Sequence, residues 1–86
     1  MARAAPTPFR IQIPDAELAD LKQRLHATRW PEAETVDDWS QGIPLGYVRE
    51  VCAYWADGYD WRKREAALNR FAQFKLPIDG IDVHVI

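Results

Sequence analysis

Residues 74–86 read FKLPIDGIDVHVI and carry the clearest structural signal in the chain. Apolar residues alternate with other residues on both sides of Asp79-Gly80, which is typical of two β-strands joined by a tight turn. The alternating apolar positions are Phe74, Leu76, Ile78, Ile81, Val83 and Val85. An isolated hairpin is marginally stable in water, and an apolar strand edge invites pairing with another chain. Because nothing follows Ile86 to cover this hairpin, we expect it to open a larger fold.

At the other end of the chain, the pattern predicts little regular structure. Residues 1–8 are rich in alanine and proline, which favours a flexible leader. Phe9, Ile11 and Ile13 then alternate with polar residues, as in a short extended segment with one apolar side. Pro14 ends this segment, which would need a surface to lie on.

Three helices are predicted between these two ends. The first spans about residues 15–28, carries one narrow stripe of leucines and ends at Trp30-Pro31. The second begins at Pro44 and runs to about residue 57, where Gly58 stops it. The third has Asp60 as its N-cap and runs to about residue 71, with Glu65 on its polar side.

The second helix has the widest apolar surface, so we expect it to be the centre of the fold. Its two neighbouring stripes are Leu45, Val48, Cys52 and Trp55, and Tyr47, Val51 and Tyr54. The predicted fold is therefore mainly α with a C-terminal β-hairpin. It divides into a leader at 1–8, a helical domain at 9–73 and the hairpin at 74–86.

Composition predicts a folded chain with a thin core. Hydrophobic residues make up 48% of the 86 residues and include four tryptophans, which is untypical of disorder. A domain of this size buries only about 60% of the surface that its unfolded chain exposes, which favours a partner. The net charge is −2 with both signs interspersed, so nucleic acid is not an expected ligand.

The single cysteine and the N-terminal residues indicate the cellular compartment in which the protein is expected. Cys52 cannot form an internal disulfide, which fits a reducing environment, and we expect the cytoplasm. Residues 1–8 contain no apolar run long enough for a signal peptide or a membrane span. A membrane is therefore not an expected partner.

A search for chemistry finds no catalytic, cofactor-binding or metal-binding set. His26 and His84 lack metal-ligand spacing with Cys52 or the carboxylates, and His84 is expected to face solvent or a partner's polar surface. No nucleophile has a base and an orienting group in evidence. The carboxylates at 32, 34, 37 and 38 lie in a polar loop, where solvation is the expected state.

A series of short segments resembles the N-terminal region of epoxide hydrolases of the microsomal and juvenile-hormone type. The segments are FRI at 9–11, DLKQRL at 20–25, TRWP at 28–31, WSQGIP at 39–44, YW at 54–55, YDWR at 59–62 and IDGIDVH at 78–84, with Glu65, Leu68-Asn69, Phe71 and Phe74 between them. They occur in order from Phe9 to the hairpin. In that family the region resembles a helical meander that wraps an α/β-hydrolase domain, and the hairpin forms the first strands of its sheet.

The resemblance also implies a reaction. An aspartate attacks the epoxide to form an ester, a histidine with an acidic partner activates water, and tyrosines protonate the opening oxygen. All of these residues would lie beyond Ile86, so none is assigned here, and the three tyrosines of this chain are not the epoxide-polarising ones. The apolar anchor of membrane-bound members has no counterpart, which implies a soluble, bacterial-type form.

Two functions follow as expectations. The preferred one is a non-catalytic N-terminal module, a fragment, truncated product or split half, that docks on a catalytic domain in cis or in trans and is inactive when isolated. Its proposed docking anchors are Phe9, Trp30, Trp39, Trp55, Trp61 and Phe74. The alternative is a free-standing helical module with an aromatic binding surface, which could also self-associate.

Overall fold

The computed structural model describes residues 5–86, and this range contains three helices and three strands. In chain order the elements are β1 (Thr7–Phe9), α1 (Asp15–His26), α2 (Leu45–Asp57), α3 (Trp61–Leu68), β2 (Gln73–Ile78) and β3 (Ile81–Val85). Two compact units are present: residues 5–12 with Asp60–Ile86, here the sheet unit, and Ile13–Tyr59, here the helix unit. This division differs from the boundary expected between residues 73 and 74. A domain boundary at that point stays a prediction.

The N-terminal strand is the main departure from the predicted fold. β1 pairs antiparallel with β2, so the hairpin becomes part of a three-stranded sheet with the order β1-β2-β3. The predicted leader is therefore wrong at Thr7 and Pro8, and its residues 1–4 lie outside the described range. Local pattern missed β1 because its partner strand is at the other end of the chain. Pro8 is tolerated there because an edge strand can lack a ladder N–H group.

The hairpin itself is confirmed. β2 and β3 pair antiparallel from Phe74 opposite Val85 to Ile78 opposite Ile81. Asp79 and Gly80 have φ angles of 50° and 79°. Both are left-handed, as a two-residue type I′ turn requires.

In the helix unit, both helices lie where the sequence predicts them, with small shifts at their ends. α1 ends at His26, two residues early, where the Thr28 hydroxyl donates to the carbonyls of Arg24 and Leu25. α2 ends before Gly58, as predicted. A Cβ atom at Gly58 would lie 2.8 Å from the Tyr54 ring, so the glycine leaves room for that ring.

The third helix confirms its predicted start and corrects its predicted polar face. The Asp60 side chain accepts a hydrogen bond from the backbone N–H of Lys63, as an N-cap should. α3 ends at Leu68, three residues before the predicted end. Glu65 was expected on the polar side, but it is 8% exposed. Its carboxylate accepts from Trp61 Nε1 and Arg62 Nη1, and these donors allow its burial.

The apolar residues of the described range have little cover. Only Glu65 and Gln73 are buried there, and no hydrophobic side chain is. α2 has no buried residue, so the expectation that it forms a packed centre is wrong within this chain. No helix in residues 5–86 is both long and apolar enough to cross a membrane.

Candidate docking surfaces

The helix unit presents exposed aromatic residues, with one valine among them, along one side of α2. Tyr47, Val51, Tyr54 and Trp55 recur at helical spacing, and each is exposed. Trp39 from the preceding loop packs edge to face on Tyr47, with the ring centroids 5.2 Å apart. We call these five residues the α2 aromatic face. Trp39 and Tyr54 are 58% and 62% exposed, so most of their surface is open to a partner.

The other side of α2 is half-buried. α1 and α2 are neighbours in the helix unit, and the half-buried residues of α2 recur with helical spacing. They are Leu45, Val48, Cys52 and Ala56. The sequence placed Trp55 in this stripe, but Trp55 is 46% exposed and belongs to the aromatic face. On α1, the predicted leucine stripe is half-buried as well.

A loop carboxylate fixes the start of α2. Pro44 is the N-cap rather than the first helical residue, and it offers no capping side chain. Glu34 Oε2 accepts from the Leu45 N–H at 2.9 Å instead. This hydrogen bond, and then one from its own backbone, holds the pKa of Glu34 below its ordinary value. Glu34 therefore has a structural role that the sequence reading missed, although the lack of a cap at Pro44 signals that one is needed.

A second loop carboxylate stabilises the turn that carries Trp39. Asp38 Oδ1 accepts from the backbone N–H of Ser40 at 2.9 Å. Hydrogen bonds from the Ser40 side chain and then from its backbone lower the pKa of Asp38. Trp39 therefore lies in a turn in which its two neighbours, Asp38 and Ser40, are joined by a hydrogen bond.

The sheet unit has an apolar surface of its own. Residues that pair across antiparallel strands share one face of the sheet. The register places Pro8, Phe74, Leu76, Ile78, Ile81, Val83 and Val85 together on what we call the apolar sheet face. Ile78 and Ile81 are 51% and 68% exposed, and none of the seven residues is buried.

The opposite face of the sheet is mixed. Phe9 packs edge to face on His84, with centroids 4.7 Å apart, and Lys75 Nζ lies 4.8 Å from the Phe9 centroid. His84 Nε2 lies 2.8 Å from Gln73 Oε1. His84 is an exposed residue, so the expectation that it faces solvent is confirmed, and its ring also contacts groups of its own chain.

The proposed docking anchors are divided between the two units. In the helix unit, Trp39 and Trp55 belong to the α2 aromatic face. In the sheet unit, Phe74 belongs to the apolar sheet face and Phe9 to the opposite one.

The two other anchors, Trp30 and Trp61, are half-buried. The Arg49 guanidinium lies 5.7 Å from the Trp30 ring centroid, and Trp61 donates its indole N–H to Glu65.

One histidine–carboxylate pair is present in the helix unit. His26 Nε2 lies 3.0 Å from Asp57 Oδ1, and Lys22 Nζ lies 3.6 Å from the same oxygen. All three side chains are more than half exposed. The arrangement is an exposed polar cluster around one carboxylate, and solvent screens the attraction between Lys22 and Asp57. Within residues 5–86, no group of three or more histidine, cysteine or carboxylate side chains is placed to hold a metal ion.

Comparison with known protein families gives a consistent result. A family model described as "Epoxide hydrolase N terminus" matches residues 6–86. A provisionally named epoxide hydrolase of Stigmatella aurantiaca is 52% identical over 80 residues, which cover 93% of this chain and 18% of that protein. The juvenile hormone epoxide hydrolase 2 of Ctenocephalides felis is 35% identical over 80 residues, 92% of this chain and 17% of that protein.

Solved structures agree with the sequence matches. The epoxide hydrolase of Aspergillus niger superposes with a TM-score of 0.85 and 32% identity, over 96% of this chain and 22% of that one. The three helices and the antiparallel sheet thus match the N-terminal part of an α/β-hydrolase. The chain spans less than a quarter of the length of each of these relatives.

Proposed function

The chain belongs to the epoxide hydrolase N-terminus family, and from this premise we propose that it is the non-catalytic N-terminal module of an epoxide hydrolase. Its role is to dock on an α/β-hydrolase catalytic domain, in cis or in trans, and to stabilise it. The helices wrap that domain, and the hairpin begins its sheet. The parent reaction is hydrolysis of an epoxide to a diol through an aspartyl ester.

The observation that carries this proposal is the absence of any buried hydrophobic side chain among residues 5–86. Fully burying a large apolar side chain contributes about 1.5–3 kcal/mol, so uncovered side chains leave most of that stabilisation unused. Large exposed apolar patches mark interaction sites in soluble proteins. The α2 aromatic face and the apolar sheet face are two such patches, and they are the surfaces that we propose to dock.

The polar groups also favour a structural role. A nucleophile needs a base within hydrogen-bond reach and a group that orients the base. His26 is held by Asp57, whose other neighbour is the Lys22 ammonium. His84 is held by the amide of Gln73, which is a buried structural group. Both histidines thus have contacts that serve the fold.

The test is a chimera with the Stigmatella aurantiaca relative. Its matching 80-residue segment is replaced by residues 6–86 of this chain, and a second protein simply lacks that segment. We expect the chimera to be soluble and to hydrolyse styrene oxide, and the shortened protein to be aggregated and inactive. A chimera that behaves like the shortened protein would contradict docking.

The isolated chain completes the test. The purified 86-residue chain should give no turnover of styrene oxide, and turnover above the buffer rate would contradict a non-catalytic role. A sharp cooperative thermal melt of the isolated chain that includes the helix unit would favour the free-standing binding module instead, because the helix unit of a docking module should be loose until its partner covers it.

A further inference from the structure

Two side-chain amides connect the ends of the chain within the sheet unit. Asn69 Oδ1 accepts from the Ile11 N–H at 2.9 Å, and Asn69 Nδ2 donates to the Ile11 carbonyl at 2.8 Å. The side chain of Asn69 therefore forms two hydrogen bonds with one residue of the main chain, as a neighbouring strand would. Asn69 is also the C-cap of α3, so these bonds attach the segment that follows β1 to the end of a helix.

The second amide extends this connection to the hairpin. Gln73 Nε2 donates to the Leu68 carbonyl at 2.9 Å and to Asn69 Oδ1 at 3.3 Å. Gln73 Oε1 lies 2.8 Å from His84 Nε2 and accepts from it when that nitrogen carries a proton. Gln73 is itself the first residue of β2, and His84 lies in β3. One buried amide thus touches the end of α3 and the neighbouring strand.

The burial of Gln73 favours a single arrangement of this hydrogen-bond network. Gln73 is 3% exposed, and in the described range no buried side-chain nitrogen or oxygen lacks a partner. A buried amide with all its hydrogen bonds made has one preferred arrangement, because any other leaves polar atoms unpaired in a low dielectric. Ile11 lies just beyond β1, so its position is fixed by Asn69 rather than by the sheet.

The strand β1 needs such a fixing contact. It has three residues, so few backbone hydrogen bonds hold it on β2. If β1 left the sheet, the edge of β2 would be free, next to an apolar sheet face on which no residue is buried. Exposed edges of this kind pair with other chains.

We infer that Asn69 and Gln73 form an amide latch that holds β1 on the edge of β2 and thereby prevents other chains from pairing with β2. The latch is a property of the sheet unit alone. It does not depend on the proposed docking, so the two can fail separately.

The test is amide hydrogen exchange on the full chain, resolved by residue, with Asn69→Leu as the main variant. Leucine keeps the approximate shape and removes both hydrogen bonds to Ile11. We expect the Ile11 amide to exchange at least tenfold faster, while the Val83 amide in the hairpin changes less than twofold. Gln73→Met should give a smaller acceleration at Ile11, because its contact is indirect. Gln23→Met, on an exposed position of α1, is the matched control and should change neither amide.

Three results would overturn the latch. One is an Ile11 amide that is unprotected in the unmodified chain. Another is an equal exchange rate at Ile11 in Asn69→Leu and the unmodified chain. The third is acceleration of Ile11 and Val83 by the same factor, which would show global unfolding. Light scattering gives an independent readout: at each concentration both latch variants should self-associate more than the unmodified chain, whereas the control should match it.

Discussion

The sheet unit and the helix unit are stabilised by different kinds of contact. In the sheet unit the two buried residues of the described range, Glu65 and Gln73, are polar and fully hydrogen-bonded. The helix unit has no buried residue and exposes an aromatic face. A buried polar network favours one arrangement of the chain, because other arrangements leave its polar groups unpaired. An exposed aromatic surface contributes to the stability of the folded state only when a partner covers it. The buried polar contacts of the described range therefore lie in the sheet unit, and the order of the helix unit depends more on the cover that its exposed face receives.

The largest expected effect is on the α2 aromatic face. Trp55→Ala should destabilise the chimera by about 3–5 kcal/mol, the usual range for a tryptophan lost from a packed site. In the isolated chain, where Trp55 is 46% exposed, the same change should cost about 1 kcal/mol or less. Urea unfolding of both proteins, followed by fluorescence, measures the difference.

Glu50→Ala, on an exposed position of the same helix, is the matched control and should be near neutral in both proteins. Equal losses for Trp55→Ala in the chimera and in the isolated chain would show that this face does not dock.

The next effect is on the buried carboxylate of the sheet unit. Glu65→Ala removes the acceptor of the Trp61 indole and of the Arg62 guanidinium. We expect a loss of about 1.5–3 kcal/mol, since hydrogen bonds to a buried charged group are among the strong ones. The loss should be alike in the chimera and in the isolated chain, because these contacts lie within the sheet unit. Arg64→Ala, exposed on the same helix, is the control.

A loss of stability in Glu65→Ala that appears only in the chimera would contradict this comparison of the two units. Glu65 would then belong to a docking contact rather than to internal order. The change in unfolding midpoint, measured by urea titration at constant slope, distinguishes the two cases.

Local pattern predicted the elements whose signals are contained in a few residues. The turn at Asp79-Gly80 needs left-handed backbone, which an Asp-Gly pair supplies, and the Asp60 cap acts within one helical turn. Both were confirmed. The family, too, was identified from short segments in order, and the family match over residues 6–86 confirms it.

Features that depend on distant partners could not be predicted in this way. β1 pairs with a strand from the opposite end of the chain, and Asn69 bonds to Ile11, which is 58 residues away in sequence. A glutamate is expected on the exposed side of a helix. Only the structure shows that Glu65 is buried and that its carboxylate accepts hydrogen bonds from Trp61 and Arg62. Of the candidate docking residues, the sequence identified the aromatic types but not the face on which each lies.

A smaller effect is expected at acid pH in the helix unit. The pKa of Glu34 is lowered in the folded state by the Leu45 N–H, so its contribution is present above the ordinary carboxyl value of 4.5. It should be lost as pH falls through the lower, folded value. Glu34→Gln should therefore reduce the fall in α2 helicity on acidification, measured by circular dichroism. Glu32→Gln, in the same exposed loop, should leave the titration unchanged, and an equal effect of both variants would contradict the assignment to Glu34.

The smallest effect is expected at Asp57. Its carboxylate lies near both Lys22 and His26, but all three side chains are more than half exposed, so water and salt screen their attraction. Asp57→Asn should cost under about 1 kcal/mol at low salt, and the cost should vanish in concentrated sodium chloride. Urea unfolding at two salt concentrations measures this. A larger, salt-independent loss would mean that a charged group in the helix unit is as important as the buried Glu65 in the sheet unit. The contrast between the two units would then not rest on burial.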